Sequence, residues 1–182
     1  MDYAKLHAVA PGLARCIIHY QILAVLFVLA GTGHTALAGE LALLVNGKAV
    51  HLSQPANGHF NERNWGGGLQ YDFDTVKEHW VPFLSASGFL DSYNNPSYYG
   101  GGGLMRRYIL ASSLDNLHLD AGVVAFLMQR EGFNHGRLFP GILPALSFGT
   151  DRVSINVTYI PKVDPKMVAL FFFQLKIGIT RF

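Results

Sequence analysis

Cysteine and charged residues are both scarce in this sequence of 182 residues. Cys16 is the one cysteine, and only 14% of the residues are charged, against about a quarter in typical soluble domains. A single thiol excludes an intramolecular disulfide and any metal site built from several cysteines. The net charge is +2 and no dense run of Lys or Arg occurs. Nucleic acid is therefore not an expected partner, because phosphate binding needs a concentrated basic surface.

Familiar catalytic and cofactor motifs are also missing. The sequence contains no HExxH, no GxSxG, no glycine-rich nucleotide-binding pattern and no cluster with metal-ligand spacing. We therefore expect neither a metal nor another cofactor.

Long apolar runs are absent after Ala38, but the N-terminus has a short one. Lys5 and Arg15 precede an apolar segment, residues 16–30, and the small residues 36–38 follow. This order is typical of a secretory signal peptide cleaved after Ala38. An uncleaved anchor is the alternative, although its strongly apolar core is about ten residues long and a spanning helix needs ~20. We expect residues 1–38 to be a signal peptide and residues 39–182 to form one domain.

Alternation of apolar and polar residues predicts β-strands throughout that domain. Val153, Ile155 and Val157 would share one face, while Ser154 and Asn156 would share the other. The predicted strands are 65–73, 117–127, 152–159 and 171–177, with weaker candidates at 40–51, 79–92, 98–110 and 138–148. Each is close to the ~10 residues with which a tilted strand crosses a bilayer.

The predicted fold class is therefore all-β, an eight-stranded antiparallel transmembrane β-barrel. A soluble ligand-binding barrel would have a similar strand count, and alternation alone does not say which face is outside. The export signal and the aromatic content of 13 Phe, 8 Tyr and 2 Trp favour the membrane barrel.

Three ordered blocks of the sequence resemble a known family. The segment Asn61 to Gly68 reads NERNWGGG and is similar to the NERxWGGG signature of PagP, the outer-membrane lipid A palmitoyltransferase family. The segment Phe89 to Asn94 resembles the F-x-D-S-x-N block of that family, and matching residues continue from Asn134 to Pro161. The likeness covers about residues 40 to 177, nearly the whole predicted domain.

The resemblance implies an enzyme that moves palmitate from the sn-1 position of a phospholipid to a hydroxyl of lipid A. It places the catalytic residues on His51, Asp91 and Ser92, with His59 as a second choice for the histidine. Transfer between an ester and a hydroxyl needs proton transfer but neither ATP nor a redox cofactor, and an imidazole titrating near neutrality can supply it. Ser92 could be a nucleophile or an oxyanion donor; the second is favoured.

Two properties of these residues complicate that interpretation. Asp91 and Ser92 would face opposite sides of a regular strand, so one linear relay requires the strand to bend or end there. Without the resemblance, the segment from Asp91 to Pro96 would be interpreted as a simple turn at the rim.

The resemblance also assigns residues that would shape lipid binding. Gly103 falls on the glycine at the floor of the acyl pocket, so Gly103→Met should shorten the preferred acyl chain. Pro144 and Pro161 fall on prolines that open gaps between strands for lateral lipid access. The alternatives are a flexible glycine loop and prolines at strand ends or bulges. Four arginines could contact lipid phosphates or be solvated rim charges: Arg106, Arg107, Arg130 and Arg137.

The expected partners are a phospholipid donor, lipid A as acceptor and the outer membrane, with the protein acting as a monomer. Two other functions remain open. A phospholipase or lipid A deacylase on the same scaffold would use water as the acceptor, and a structural barrel would use none of these residues chemically.

Overall fold

The computed structural model describes residues 38–53, 59–77, 79–163 and 168–182. The predicted signal peptide therefore lies, apart from Ala38, outside the described residues. Among the described residues, no helix has the length and apolarity needed to cross a membrane.

Eight antiparallel strands form a closed barrel in sequence order, and β1 pairs with β8 to complete it. The strands are β1 (Gly39–His51), β2 (Arg63–Phe73), β3 (Trp80–Leu90), β4 (Pro96–Ala111), β5 (Leu117–Arg130), β6 (Phe139–Gly149), β7 (Val153–Ile160) and β8 (Leu170–Arg181). The all-β prediction is confirmed, and each predicted strand has its counterpart. A closed barrel has no free edge, so backbone groups are paired without help from water.

The apolar face of the barrel points outward. Leucine, valine and isoleucine side chains on the outer wall are 40–73% exposed, as at Leu69, Leu84, Leu104, Val123 and Ile142. The inward-facing set contains many polar residues, such as Gln70, Asn156 and Gln174, which are all at least 94% buried. A soluble ligand-binding barrel would have the reverse arrangement, so the structure favours the membrane-type barrel.

The lumen differs between its two ends. The first end, called the site rim here, is formed where β1, β3, β5 and β7 finish. Beneath this rim the lumen is lined by apolar clusters that include Phe83, Met105 and Phe172. At the opposite rim the lumen is charged: Arg107 pairs with Asp120 through two hydrogen bonds of 3.0 and 2.9 Å. The apolar half is therefore the part that can accept a hydrocarbon chain.

Candidate functional site

A tight turn after β3 carries Asp91 and Ser92 at the site rim. Strand β3 ends at Leu90, so the two side chains are free of strand alternation, and both are buried, at 2% and 8% exposure. One carboxylate oxygen of Asp91 accepts hydrogen bonds from the backbone N–H groups of Tyr93 (2.8 Å) and Asn95 (2.9 Å). From the sequence, we expected that Asp91 and Ser92 could serve one site only if the strand bends or ends at them. Strand β3 does end just before them.

Two asparagines of the NERNWGGG segment hold this turn in place. The backbone N–H of Asn61 donates to the Ser92 carbonyl (2.8 Å), and its side chain donates to the Asp91 carbonyl (3.0 Å). The side chain of Asn64 donates to the Leu90 carbonyl (2.6 Å). Residues just before and at the start of β2 thus fix the position of Ser92, a role that the motif alone did not reveal.

His51, the last residue of β1, contacts Ser92 directly. Its Nε2 atom lies 2.8 Å from Ser92 Oγ, although the residues are 41 positions apart in the chain. The ring of Phe60 stacks on the imidazole, with centroids 4.3 Å apart and an interplanar angle of 19°. His59, the second choice from the sequence, is exposed. The geometry therefore favours His51 as the histidine of the site.

Asp91 does not complete a linear relay with His51. Its second carboxylate oxygen accepts a 2.7 Å hydrogen bond from Arg130 Nε on β5. The three predicted residues are neighbours, but the described contacts join His51 to Ser92 and Asp91 to Arg130. These contacts do not join the three side chains in one line, because the Asp91 carboxylate bonds to the turn and to the arginine instead.

Sequence reasoning missed Glu62 as a residue of the site. Its Oε1 lies 4.0 Å from His51 Nδ1, on the side of the imidazole opposite Ser92. The available signal was its position in the NERNWGGG segment, next to Asn61. From the sequence, Arg130 was interpreted as either a phosphate contact or a solvated rim charge, and nothing in its sequence neighbourhood identified Asp91 as its partner.

A cavity opens beneath these residues. The empty space in it, counted together with the open mouth, is about 870 Å³. Ser92, Asp91 and Arg130 lie at its mouth. Its apolar lining includes Ala49, Phe83, Phe89, Met105, Val124, Phe126, Leu143, Ala145, Ile160, Leu170 and Phe172.

Gly103 faces the lumen, but a neighbouring side chain fills the space beside it. A Cβ atom at this position would stand 2.5 Å from the Phe83 ring and would overlap the Val123 carbonyl oxygen. Phe83 and Met105 themselves line the cavity. Gly103 therefore makes room for the Phe83 ring, and its predicted effect on chain length would act through that ring.

The ladder between β6 and β7 is incomplete near the site rim. Its pairs run from Gly149↔Ser154 to Ala145↔Thr158, so the first part of β6, residues 139–144, extends beyond them. Pro144 is the next residue after the last pair and is exposed, and Pro161 follows the end of β7. Proline donates no ladder hydrogen bond, which accounts for the end of pairing here. Lateral lipid access at this gap stays a prediction.

The arginines proposed as phosphate contacts have different surroundings. Arg107 belongs to the ion pairs of the opposite rim, with Asp120 and Asp151, and is unavailable to a lipid at the site. Arg106 packs over the Tyr108 ring at 5.5 Å. Arg130 is the cation at the cavity mouth. Within the described residues, no group of three or more His, Cys, Asp or Glu side chains is arranged to hold a metal ion.

Comparison with known proteins agrees with this geometry. The family model described as "Antimicrobial peptide resistance and lipid A acylation protein PagP" matches residues 46–175. The lipid A acyltransferase PagP of Bordetella pertussis (strain Tohama I) is 32% identical over 114 residues, which are 63% of this chain and 60% of that protein. The lipid A palmitoyltransferase PagP of Escherichia coli (strain K12) is 34% identical over 102 residues, 56% of this chain and 53% of that protein. The similarity thus spans less than two thirds of these relatives. The family model covers most of this chain, which therefore belongs to the PagP family.

Proposed function

We propose that this protein transfers a palmitoyl chain from the sn-1 position of a phospholipid to a hydroxyl of lipid A. The observation that carries the proposal is the 2.8 Å contact between His51 Nε2 and Ser92 Oγ at the mouth of the apolar cavity. At this separation an imidazole can act as the general base that removes the proton of an attacking hydroxyl, as acyl transfer needs.

This contact favours a two-stage reaction in which Ser92 is the nucleophile, rather than the oxyanion donor that we favoured from the sequence, because its hydroxyl lies against an imidazole that can take its proton. His51 Nε2 accepts the Ser92 proton while Ser92 Oγ attacks the donor ester carbonyl, and the proton then passes to the departing glycerol oxygen. The lipid A hydroxyl next gives its proton to His51 and attacks the acyl-serine, which releases Ser92 as a hydroxyl. The acyl group changes oxygen partners twice and no net proton is consumed, so the cycle needs no cofactor.

The cavity and the rim supply the other requirements. The apolar lining holds the hydrocarbon tail out of water, and the mouth presents the ester to Ser92. The Arg130 guanidinium at the mouth can stabilise negative charge on the donor phosphate or on the tetrahedral intermediate. The β6–β7 gap beside Pro144 and Pro161 is a lateral route for the tail, since a two-tailed lipid leaves the bilayer for water only at high cost.

The closed barrel, its apolar outer wall and its family support a location in the outer membrane. We further propose that residues 1–38 are a signal peptide for export, that the acyl donor is a phospholipid and that the protein is a monomer. Lipid A is the acceptor named for both relatives described above.

The decisive experiment is mass spectrometry of lipid A from cells with and without the protein. Wild type should add the mass of one palmitoyl group, and Ser92→Ala or His51→Asn should lower the transfer rate by at least about 100-fold, since each removes one partner of the reacting pair. Intact-mass analysis of the purified protein with donor but no acceptor should reveal a palmitoyl adduct that Ser92→Ala lacks.

His59→Asn is the matched control, because it removes an exposed imidazole near the same rim. It should keep wild-type transfer. Release of free fatty acid with unchanged lipid A would instead support the phospholipase or deacylase function. Unchanged lipids with every variant would leave only a structural barrel.

A further inference from the structure

One ring nitrogen of His51 is buried and has no hydrogen-bond partner among the residues that the structure describes. Nε2 is engaged with Ser92 Oγ, and Nδ1 is the nitrogen without such a partner. If Nε2 is to accept a proton from Ser92, the neutral imidazole must carry its own proton on Nδ1. That N–H then requires an acceptor to hold the ring in this tautomer and orientation.

Glu62 is the carboxylate placed on that side of the ring. Its Oε1 lies 4.0 Å from His51 Nδ1, and its side chain is 37% exposed. The other oxygen, Oε2, lies 3.9 Å from the ammonium of Lys48, which is itself 62% exposed. Both separations exceed hydrogen-bond length, so the proposed hydrogen bond requires the partly exposed Glu62 side chain to rotate towards Nδ1.

We infer that Glu62 is a positioning residue for His51, accepting the Nδ1–H so that Nε2 faces Ser92 as a base. This inference rests on the proposed acyl transfer and assigns to Glu62 the orienting role that Asp91 does not perform.

The surroundings of both carboxylates support this assignment. Asp91 is fully engaged, with one oxygen on two backbone N–H groups and the other on Arg130. Within the described part of the chain, the Glu62 side chain has no comparable hydrogen bond to hold it away from the imidazole, and its contacts are the two long ones to Lys48 and His51. The Phe60 ring stacks on one face of the imidazole and blocks tilting of the His51 ring towards that face, and Nδ1 lies 4.0 Å from the Glu62 carboxylate. Catalytic hydrogen bonds are often long without substrate and shorten when it binds.

Charges of both signs influence the protonation of His51. In the ion-pair contacts of His51 and of the Asp91 turn, Glu62 and Asp91 are the carboxylates, while Arg130 from β5 and Lys48 from β1 are the cations. Because Asp91 is paired with Arg130, Glu62 is the carboxylate left to stabilise the imidazolium. Removing its charge should therefore make His51 harder to protonate.

The test compares wild type with Glu62→Gln in detergent micelles, using phospholipid donor and purified lipid A. We expect kcat to fall about tenfold with KM unchanged, because orientation of the base is lost while the lipid contacts remain. The acidic limb of the kcat profile should move to lower pH. NMR titration of labelled His51, which requires no activity, should show the same displacement.

Glu131→Gln is the matched control, since it removes one exposed carboxylate after β5 near the same rim, and it should leave both profiles unchanged. A His51 titration that is identical in wild type and Glu62→Gln would overturn the inference, whatever the kinetics. Absence of transfer by wild type would overturn the proposed function instead, and the titration would still decide whether Glu62 acts on His51.

Discussion

At the residue scale, the site rim holds two adjacent pairs of side chains with different roles. His51 and Ser92 form the reactive pair, while Asp91 and Arg130 form an ion pair next to it. The Asp91 side chain is 2% exposed and receives one charged and two backbone donors. A buried carboxylate with this set of donors stabilises the turn that carries Ser92. Replacing it should therefore disturb the reaction through position rather than through proton transfer.

Asp91→Asn should lower the free energy of unfolding by about 1–3 kcal/mol, because the new amide would present a donor to the Arg130 guanidinium. Arg130→Met should have a similar effect, since it leaves the Asp91 carboxylate without its charged partner. The double variant should lose clearly less than the sum of the two, as expected of residues in contact. Urea unfolding in detergent micelles, followed by tryptophan fluorescence, measures all three, and strictly additive losses would contradict the pairing.

At the element scale, the glycines of strand β4 face alternately into the lumen and outward. Gly101 and Gly103 face the lumen, whereas Gly100 faces outward with nothing within 4 Å of an added Cβ. A side chain at Gly103 would meet the Phe83 ring, which lies across from it in the β3–β4 register. The acyl pocket is therefore shaped by the glycine and the phenylalanine together.

Gly103→Met should shift donor preference to shorter acyl chains, because the new side chain and the displaced Phe83 ring would fill the lower part of the cavity. Phe83→Ala should have the opposite effect and admit longer chains. Gly100→Met, on the outer face of the same strand, should leave the preference unchanged. Assays with phospholipids of graded chain length, read by mass spectrometry of lipid A, measure this, and an unchanged profile in Gly103→Met with retained activity would contradict it.

At the scale of the whole molecule, the lumen is apolar at one end and ionic at the other. Lys176 and Asp72 are both buried and join at 2.7 Å, with Gln70 donating to the second Asp72 oxygen at 2.6 Å. His118 is fully buried beside Asp120 near the same end. These side chains occupy the part of the lumen into which a longer hydrocarbon chain would have to extend. They therefore form the boundary at which the apolar cavity ends.

Lys176→Met should destabilise the barrel by about 3–5 kcal/mol, because it leaves the buried Asp72 carboxylate without its cation. Adding Asp72→Leu should recover much of that loss by removing the unpaired charge. Lys48→Met is the control at an exposed ion pair and should change stability by less than about 1 kcal/mol. Urea unfolding in lipid vesicles measures the three, and equal effects of Lys176→Met and Lys48→Met would contradict the ionic filling of the lumen.

Local pattern was sufficient to predict the strands, because the two-residue period of a β-strand is visible within a few neighbouring positions. The segment Val153 to Ile160 was predicted within one residue at each end. The strand ends at the rims were harder to predict. Strand β4 begins at Pro96 and β8 continues to Arg181, both beyond the predicted bounds, because glycines and a proline obscure the alternation there.

The amino-acid sequence by itself determined the all-β class, the number of strands, the family blocks and the three residues proposed for the reaction. The tertiary structure decided which face is outside, that His51 meets Ser92, that Asp91 belongs to Arg130 and that Phe83 occupies the space beside Gly103. These contacts join residues 20 to 41 positions apart. Their geometry depends on the register of every intervening pair of strands, and a shift of one residue would exchange the two faces of a strand. No local stretch of sequence contains that information.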